Sequence, residues 1–344
     1  MISLKRHEGN PIFSPDPAYA WENEGVFNPG AIHTGSEVVL LYRAVGELDA
    51  YVSRFGLAKS TDGIHFTRAS LQPVFEPRET FDAWGTEDPR ITKIEDDYYV
   101  TYVAVPERIM LNGSSFPRTT PLETATGLLR TRDFQSFENL GIISAEDSDN
   151  KDIVLFPRKI NGRYCMLHRP NRWNKPKCDR RRAEGNPVNW PCDLSALPQN
   201  PAIWIAWSDD LLHWDNHSVF LPTSHANDAK IGPGLPPIET PEGWLVIYHH
   251  VITTDRPDGF NYTARAALFA LDEPTRLIGK LDYDILAPDE AYEKERNSHI
   301  VFPTGGYVKD GILHVYYGAS DRYVCLATTP LAPLISELLA SSHD

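Results

Sequence analysis

The sequence predicts an all-β protein, a five-bladed β-propeller with a short C-terminal helix. Two observations predict this fold class: a pair of apolar strand patterns joined by a polar turn occurs five times along the 344 residues, and a third strand pattern follows each pair. Corresponding second strands are roughly 60 to 80 residues apart, longer than the ~40 to 50 residues of common propeller repeats, which indicates long loops. Two packed β-sandwich domains would explain the strands but not their fivefold recurrence. We therefore expect one propeller domain over residues 1–344.

Each predicted hairpin starts at a proline or glycine, continues as a short apolar strand, turns through polar residues and returns as a strand rich in Val, Ile, Leu and Tyr. In chain order the five segments are NPGAIHTGSEVVLLYRAV (28–45), EDPRITKIEDDYYVTYVAV (87–105), LFPRKINGRYCMLHRP (155–170), GLPPIETPEGWLVIYHHV (234–251) and VFPTGGYVKDGILHVYYGAS (301–320). The third strands follow in GLAKSTDGIHFTR, GLLRTRDFQSFENL, IWIAWSDDLLHWDN, ALFALDEPTRLIG and YVCLATTPLAPL. Only residues 333–343 have a helical pattern, and we expect that helix to lie across the outside.

One inserted segment, residues 171–200, interrupts the repeat because it is rich in Pro, Arg, Trp and Asn and has no strand period. A loop of this length in a compact domain is usually functional or disordered. Since it contains Trp173 and Trp190, we expect an ordered lid or a contact between copies of the chain in a homo-oligomer. Pairing of Cys178 with Cys192 stays open, because four cysteines without CxxC spacing are too few for a disulfide framework.

Composition and charge exclude several classes of function. A chain with 41% hydrophobic and 11% aromatic residues is expected to fold, and a net charge of −14 without a long basic run argues against a nucleic-acid surface. No run approaches the ~18 apolar residues of a membrane span, and residues 1–8 lack the apolar region of a signal peptide. We therefore expect a cytoplasmic protein that binds neither nucleic acid nor a membrane.

The starts of the five hairpins predict a single pocket. If they are equivalent, the residues beside them meet at the mouth of the central channel. The polar residues at these positions are Asn28, Arg43, Glu87, Asp88, Arg90, Arg158, His168, Arg169, Lys230, His249, His250, Asp321 and Arg322. An arginine such as Arg158 is more often an ion-paired strand residue, but the His-Arg and His-His pairs end two apolar strands at corresponding positions, which favours a site.

A metal site is not expected. The remaining histidines that we considered lie over turns without the spacing of known ligand motifs, and they are His65, His213, His217 and His225.

A series of motifs resembles the mannoside phosphorylases of glycoside hydrolase family 130 over nearly the whole chain. The motifs are Asn10-Pro11-Ile12, Val26-Phe27-Asn28-Pro29-Gly30-Ala31, Leu41-Tyr42-Arg43, Gly85-Thr86-Glu87-Asp88-Pro89-Arg90, Leu155-Phe156-Pro157, Leu167-His168-Arg169, Lys230-Ile231-Gly232, Pro236-Pro237-Ile238, Tyr248-His249 and Tyr317-Gly318-Ala319-Ser320-Asp321. The resemblance implies a five-bladed propeller and an inverting cleavage of β-mannosides by inorganic phosphate that gives α-mannose 1-phosphate. The oligosaccharide and phosphate would be the two substrates, with no cofactor.

The resemblance also implies roles for single residues. Asp88 of the EDPR motif would be the general acid, passing its proton through a hydroxyl of the mannosyl ring. The residues that the resemblance assigns to phosphate are Arg43, Arg169, Lys230, His249 and Tyr262, and those that it assigns to the sugar are Asn28 and Asp321. From their positions beside the hairpins we also expect Glu87, Arg90 and His168 to contact the substrate. Pairing with Arg90 is a simpler explanation of Glu87, and Pro89 is expected to hold Asp88 in an extended conformation.

Two departures from the family pattern concern Tyr262, which is not followed directly by Arg, and Lys151-Asp152, which stands where a basic residue followed by Asn is common.

The predicted chemistry explains why one carboxylate and several cations suffice. An inverting hydrolase needs two carboxylates about 6.5 to 9.5 Å apart, one of them to activate water. Phosphate is already an anionic nucleophile, so the protein has only to hold it with Arg, Lys and His donors. Two alternatives stay open for this chain, namely an inverting β-mannosidase, which is a hydrolase of the same family, and a non-catalytic sugar-binding propeller. The linkage and the leaving sugar are also left open.

Overall fold

The computed structural model describes residues 1–110, 119–185, 195, 197–256 and 259–341. Its first strand is β1 (Lys5–Arg6), and five antiparallel sheets form five blades, which confirms the predicted five-bladed propeller. Blade 1 contains β2 (Gly25–His33), β3 (Val38–Val45), β4 (Ser53–Ser60) and β5 (Thr67–Arg68). Blade 2 contains β6 (Thr86–Ile94) and β7 (Asp97–Ala104), then, after a small hairpin of β8 (Arg108–Met110) and β9 (Thr119–Pro121), β10 (Ala125–Thr131) and β11 (Glu138–Ile142).

The remaining blades follow in chain order. Blade 3 contains β12 (Ser148–Leu155), β13 (Tyr164–Trp173), β14 (Ile203–Ser208) and β15 (Trp214–Leu221). Blade 4 contains β16 (Asp228–Pro233), the short β17 (Ile238–Thr240), β18 (Gly243–Thr253), β19 (Phe260–Phe269) and β20 (Leu277–Lys280). Blade 5 contains β21 (Val301–Lys309), β22 (Ile312–Ala319) and β23 (Tyr323–Pro330), and β1 completes it by pairing with β23.

The core lies between neighbouring blades, and this explains the continuous apolar runs of the second strands. Successive side chains of a strand point to opposite faces of its sheet. In β3, Val39 and Leu41 pack toward blade 2, whereas Leu40 and Tyr42 pack toward blade 5. A strand buried on both faces has no polar alternation, as the run from Val38 to Tyr42 illustrates.

The innermost strand of every blade contains a break in register with its neighbour. The breaks fall between Phe27 and Gly30, Glu87 and Arg90, Lys151 and Val154, Asp228 and Lys230, and Pro303 and Gly305. Such β-bulges bend the strand and redirect a side chain, and they are frequent beside active sites. The bulges of blades 1, 2 and 3 contain Asn28, Asp88 and Asp152, whose side chains reach the channel.

The hairpin starts were predicted correctly in blades 1, 2 and 5 but too late in blades 3 and 4. The inner strands β12 and β16 begin at Ser148 and Asp228, whereas the predicted segments began at 155 and 234. The reason is that Asp152 and Ala229, in the bulges of these two blades, have no neighbouring proline, whereas the bulges of the other three blades have one. The proline that marked the hairpin start in the other blades is therefore absent from the bulges of blades 3 and 4.

The helices differ from prediction in number. The C-terminal helix α2 is Leu331–Ala340, and its Leu334, Ile335 and Leu338 pack into the core cluster of blades 4 and 5. A second helix, α1 (Lys175–Ala183), lies inside the segment predicted to have no period, and Asn174 caps it by accepting a hydrogen bond from the Lys177 amide.

The inserted segment, residues 171–200, is described only in part. Trp190 and Cys192 lie outside the described residues, so the question of a pair with Cys178 does too. In the described part of the chain, no helix is long and apolar enough to cross a membrane.

Candidate active site

A cavity of about 310 Å³ lies at the mouth of the channel and is lined by residues from all five blades. Its walls include nine of the predicted site residues, namely Asn28, Arg43, Glu87, Asp88, Arg169, Lys230, His249, Tyr262 and Asp321. Arg90 and His168 do not line it. The sequence thus located the pocket, whereas the roles assigned to these residues stay predictions.

Asp88 is held at the bulge of β6 by two donors. Its Oδ1 accepts hydrogen bonds from Asn28 Nδ2 at 2.8 Å and from Arg43 Nη1 at 3.0 Å. The expectation that Pro89 keeps Asp88 extended is wrong, because Asp88 has a left-handed φ of 51° at the bulge. This conformation points the carboxylate into the cavity instead of along the ladder.

Glu87 has a different partner from the one predicted. Its Oε1 accepts from Arg43 Nη2 at 2.8 Å and from Arg108 Nη2, and its Oε2 accepts from Lys151 Nζ at 3.3 Å. Burial raises the pKa of Glu87, but these three cations outweigh burial and lower the pKa to about 2. Glu87 is therefore ionised at neutral pH and is already engaged by cations.

Asp321 is a pocket carboxylate with a raised pKa. Burial raises its pKa most, Arg43 lowers it, and the carboxylates of Asp88 and Glu87 raise it again, so that the pKa is about 6. Its backbone is also left-handed, with a φ of 50°. Asp321 is thus suited to hydrogen-bond a neutral ligand hydroxyl.

The opposite half of the pocket groups Arg169, Lys230, His249 and Tyr262. Lys230 Nζ lies 5.2 Å from the centroid of the Tyr262 ring, which in turn lies 6.4 Å from that of His249. Gly232 makes this packing possible, because a Cβ there would lie 2.4 Å from His249 Cε1 and 2.9 Å from Arg169 Nε. Arg43 is not part of this group, since its described hydrogen bonds go to Ser53, Glu87 and Asp88.

His249 is buried and neutral. Neither of its ring nitrogens has a hydrogen-bond partner among the described residues, and Nε2 lies 3.6 Å from Asp152 Oδ2, which is beyond hydrogen-bond distance. Its pKa is lowered to about 3, chiefly by burial, with Asp152 opposing and the cations Arg169, Lys230 and Arg90 adding to the decrease. Within the described chain Lys230 contacts aromatic rings but has no carboxylate within ion-pair distance. These two donors are available to a ligand.

Asp152 is a pocket residue that the sequence reasoning did not select. It occupies the bulge of β12 with a φ of 60°, the position equivalent to Asp88 in β6. It accepts from Arg169 Nε at 2.8 Å and from Arg90 Nη2 at 3.3 Å. Arg90 also donates to the Asp88 carbonyl, so the predicted Arg90–Glu87 pair is replaced by Arg90–Asp152. Aligning the third repeat on its bulge would have found Asp152.

His168 lies behind the pocket wall. It is fully buried, with Asn150 Nδ2 2.9 Å from its Nδ1 and His217 Nδ1 3.1 Å from its Nε2. Neighbouring strand residues face opposite sides, so His168 and Arg169 do not both face the cavity. His250 likewise points away from His249 and contacts Asp228 Oδ1 at 2.6 Å. His217 is also buried.

Other polar wall residues were also missed. They lie at one side of the cavity and are Thr120, Thr124, Asp149, Lys151 and Asn171. Two hydrogen-bond donors, Thr124 Oγ1 and Asn171 Nδ2, contact the carboxylate of Asp149. Within the described residues, no group of three or more His, Cys, Asp or Glu side chains is arranged to hold a metal ion.

Comparison with known proteins identifies the family. The family described as beta-1,4-mannooligosaccharide phosphorylase matches residues 3–338. A 1,2-beta-oligomannan phosphorylase from Thermoanaerobacter sp. strain X514 is 34% identical over 335 residues, covering 95% of this chain and 97% of that protein. A beta-1,4-mannooligosaccharide phosphorylase from Ruminococcus albus is 28% identical over 349 residues, covering 98% and 91%.

A solved structure agrees with this assignment. The beta-1,2-mannobiose phosphorylase from Listeria innocua, in complex with beta-1,2-mannobiose, superposes with a TM-score of 0.77 at 28% identity, covering 98% of this chain and 99% of that one. The match to the family over 3–338 and the relatives along the whole chain lead to one conclusion: this chain belongs to glycoside hydrolase family 130.

Proposed function

We propose that this enzyme phosphorolyses β-mannosides with inversion, giving α-mannose 1-phosphate and a shortened sugar. The observation that carries the proposal is the pair of unengaged donors, Lys230 and His249, across one pocket from the carboxylate of Asp88. Cations and neutral donors without a protein partner suit an anion such as phosphate. A carboxylate on the other side suits proton donation to a leaving group.

The reaction assigns a task to each half of the pocket. A phosphate oxygen held by Arg169, Lys230, His249 and Tyr262 attacks the anomeric carbon as the glycosidic C–O bond breaks. Asp88 supplies the proton that the departing oxygen needs, and the anomeric configuration inverts. Asn28 and Asp321 line the sugar side of the cavity. Phosphate is the co-substrate and no cofactor takes part in this scheme.

We further propose that the preferred substrates are β-1,2-linked. The support is that three relatives with 31 to 34% identity are named for β-1,2-linked oligomannan or mannobiose. The β-1,4-mannooligosaccharide enzyme is less similar, at 28%. We place the enzyme in the cytoplasm, because phosphate is abundant there and a charged sugar phosphate is retained. A homo-oligomer stays a prediction.

Hydrolysis is the second candidate, and one observation favours it. Asp321 has a pKa raised to about 6, chiefly by burial, and no described residue donates a hydrogen bond to its side chain. A carboxylate of that kind is a better base for water than Glu87 or Asp152, which cations already engage. Phosphorolysis is preferred because water does not require the Arg169, Lys230 and His249 cluster.

The test is a substrate panel. The protein is incubated with β-1,2-mannobiose, β-1,4-mannobiose and mannosyl-N-acetylglucosamine, each with and without inorganic phosphate, and mannose 1-phosphate and free mannose are quantified. We expect phosphate-dependent mannose 1-phosphate, fastest from β-1,2-mannobiose, and loss of at least ~100-fold in Asp88→Asn. Equal mannose release without phosphate that is lost in Asp321→Asn would establish hydrolysis instead.

A further inference from the structure

Arg108 does not line the cavity, yet it contacts a residue beside the general acid. It begins β8, whose partner β9 contributes Thr120 and Pro121 to the pocket wall. Its side chain is only 2% exposed and donates from Nη2 to Glu87 Oε1. A buried cation at the base of the small hairpin therefore reaches the carboxylate next to Asp88.

Glu87 connects Arg108 to Arg43. The Oε1 atom that accepts from Arg108 also accepts from Arg43 Nη2 at 2.8 Å, and Arg43 Nη1 donates to Asp88 Oδ1 at 3.0 Å. Arg43, Glu87 and Asp88 are all less than 10% exposed. The result is a continuous buried series of charged hydrogen bonds from Arg108 to Asp88, and bonds of this kind are strong and directional.

Tyr51 contacts both arginines. The Cζ atoms of Arg43 and Arg108 lie 5.5 and 5.2 Å from the centroid of its ring. Two guanidinium groups beside one ring repel each other, and the Glu87 carboxylate between them offsets that repulsion. Removing Arg108 leaves Glu87 with one fewer donor and frees it to draw Arg43 away from Asp88.

We propose that Arg108 is a positioning residue for the general acid. Acting through Glu87, it fixes the plane of the Arg43 guanidinium against Asp88 and joins the β8–β9 hairpin to the acid. This inference rests on the proposed function, since it takes Asp88 as the proton donor.

The charges around Asp88 determine how the pH dependence of the reaction should change in variants of Arg108 and Glu87. The charged and titratable groups that face this region from the surrounding elements are Arg43, Tyr51, Glu87, Arg90, Arg108, Lys151, Asp152 and Asp321. Glu87 and Arg108 have opposite charges on the same side of Asp88. Arg108→Gln therefore favours the protonated acid, and Glu87→Gln favours the ionised acid.

The experiment measures kcat, the KM for phosphate and the alkaline limb of the kcat/KM profile with β-1,2-mannobiose. We expect Arg108→Gln to lower kcat about tenfold through misplacement of the acid. Its alkaline limb should move up by about half a pH unit and that of Glu87→Gln down by a similar amount. The KM for phosphate should change less than about twofold in Arg108→Gln. Arg108→Lys keeps the charge, so its alkaline limb should lie at the pH of the wild-type limb.

The matched control is Arg68→Gln, which breaks another arginine–carboxylate pair, with Glu22, at 2.5 Å in blade 1. Arg68→Gln should lower the melting temperature without moving the alkaline limb of the kcat/KM profile. Limbs that shift in the same direction in Arg108→Gln and Glu87→Gln, or an unchanged kcat in folded Arg108→Gln, would overturn the inference. If Arg108→Gln does not fold, the inference is tested by the other two variants: it is overturned if the alkaline limb of Glu87→Gln does not move down or if that of Arg108→Lys departs from the wild-type position. A wild type that forms no mannose 1-phosphate contradicts the proposed function instead.

Discussion

At the residue scale, the pocket depends on side chains that unusual backbone torsion angles direct into the channel. Four wall residues have a left-handed φ: Asn28 at 45°, Asp88 at 51°, Asp152 at 60° and Asp321 at 50°. Asn and Asp tolerate this region better than other residues with a Cβ, because their short polar side chains hydrogen-bond locally. Each such conformation costs of order 1 kcal/mol or more. The surrounding strands compensate this strain.

A glycine beside the proposed phosphate site provides a test at the same scale. Gly232→Ala places a Cβ 2.4 Å from His249 Cε1, so the imidazole must move. We expect the KM for phosphate to rise at least about tenfold with a smaller effect on kcat. Steady-state kinetics at varied phosphate checks this, with Gly9→Ala as control because its nearest neighbour is the far end of the partly exposed His7 side chain at 3.1 Å. An unchanged KM would show that His249 does not contact phosphate.

At the element scale, the two-residue strand β1 closes the propeller. Arg6 donates to both carboxylate oxygens of Glu293 at 2.8 Å, and Glu293 is fully buried. The hydroxyl of Tyr317 in β22 donates to the same carboxylate at 2.8 Å. Glu293 therefore joins the N-terminal strand to blade 5 by side chains as well as by the ladder between β1 and β23.

Removing Arg6, the cation of the Arg6–Glu293 ion pair, should destabilise the whole fold. Arg6→Ala leaves the Glu293 carboxylate buried with its ion pair lost, and we expect a loss of about 3 kcal/mol in the free energy of unfolding. Chemical denaturation measures it. Arg158→Ala is the control, since both side chains of its ion pair with Glu239 are 41% exposed and its loss should have little effect. Equal losses of unfolding free energy in the two variants would mean that the Arg6–Glu293 ion pair does not hold β1 to blade 5.

The elements also show what the sequence reveals and what it does not. The blade number was predictable because strands such as β3, buried on both faces, leave continuous apolar runs. β1 was missed because two residues cannot show a period, and α1 because most of its residues are polar and exposed. Asp152 was missed because its bulge lacks the proline that marked Asn28 and Asp88. His168 was misplaced because its neighbour Arg169 alone faces the pocket.

At the scale of the whole molecule, buried histidines link stability to pH. Burial lowers the pKa of His249 to about 3, that of His217 to about 4 and that of His168 in the same direction. In the unfolded chain a histidine binds its proton near pH 6.5, so the unfolded state takes up protons first as the pH falls. Each histidine then removes up to about 1.4 kcal/mol of stability per pH unit below 6.5.

The carboxylate of Asp321 opposes this trend. Its pKa, raised to about 6 by burial, makes the folded state bind a proton before the unfolded one, so it adds stability as the pH falls below 6. With three histidines against it, we expect a net loss of up to about 5 kcal/mol between pH 7 and pH 5. Denaturant unfolding in phosphate-free buffers measures this. Stability that is constant or higher at pH 5 would show that these histidines are not held neutral.

In the proposed reaction, the cation cluster opposite Asp88 makes phosphate the nucleophile. The most direct measurement follows β-1,2-mannobiose and inorganic phosphate by phosphorus and proton NMR in one sample, beside a sample without phosphate. We predict that α-mannose 1-phosphate and free mannose appear in equal amounts and that nothing changes without phosphate. Mannobiose cleaved to mannose alone, at the same rate in both samples, would show that water and not phosphate is the nucleophile.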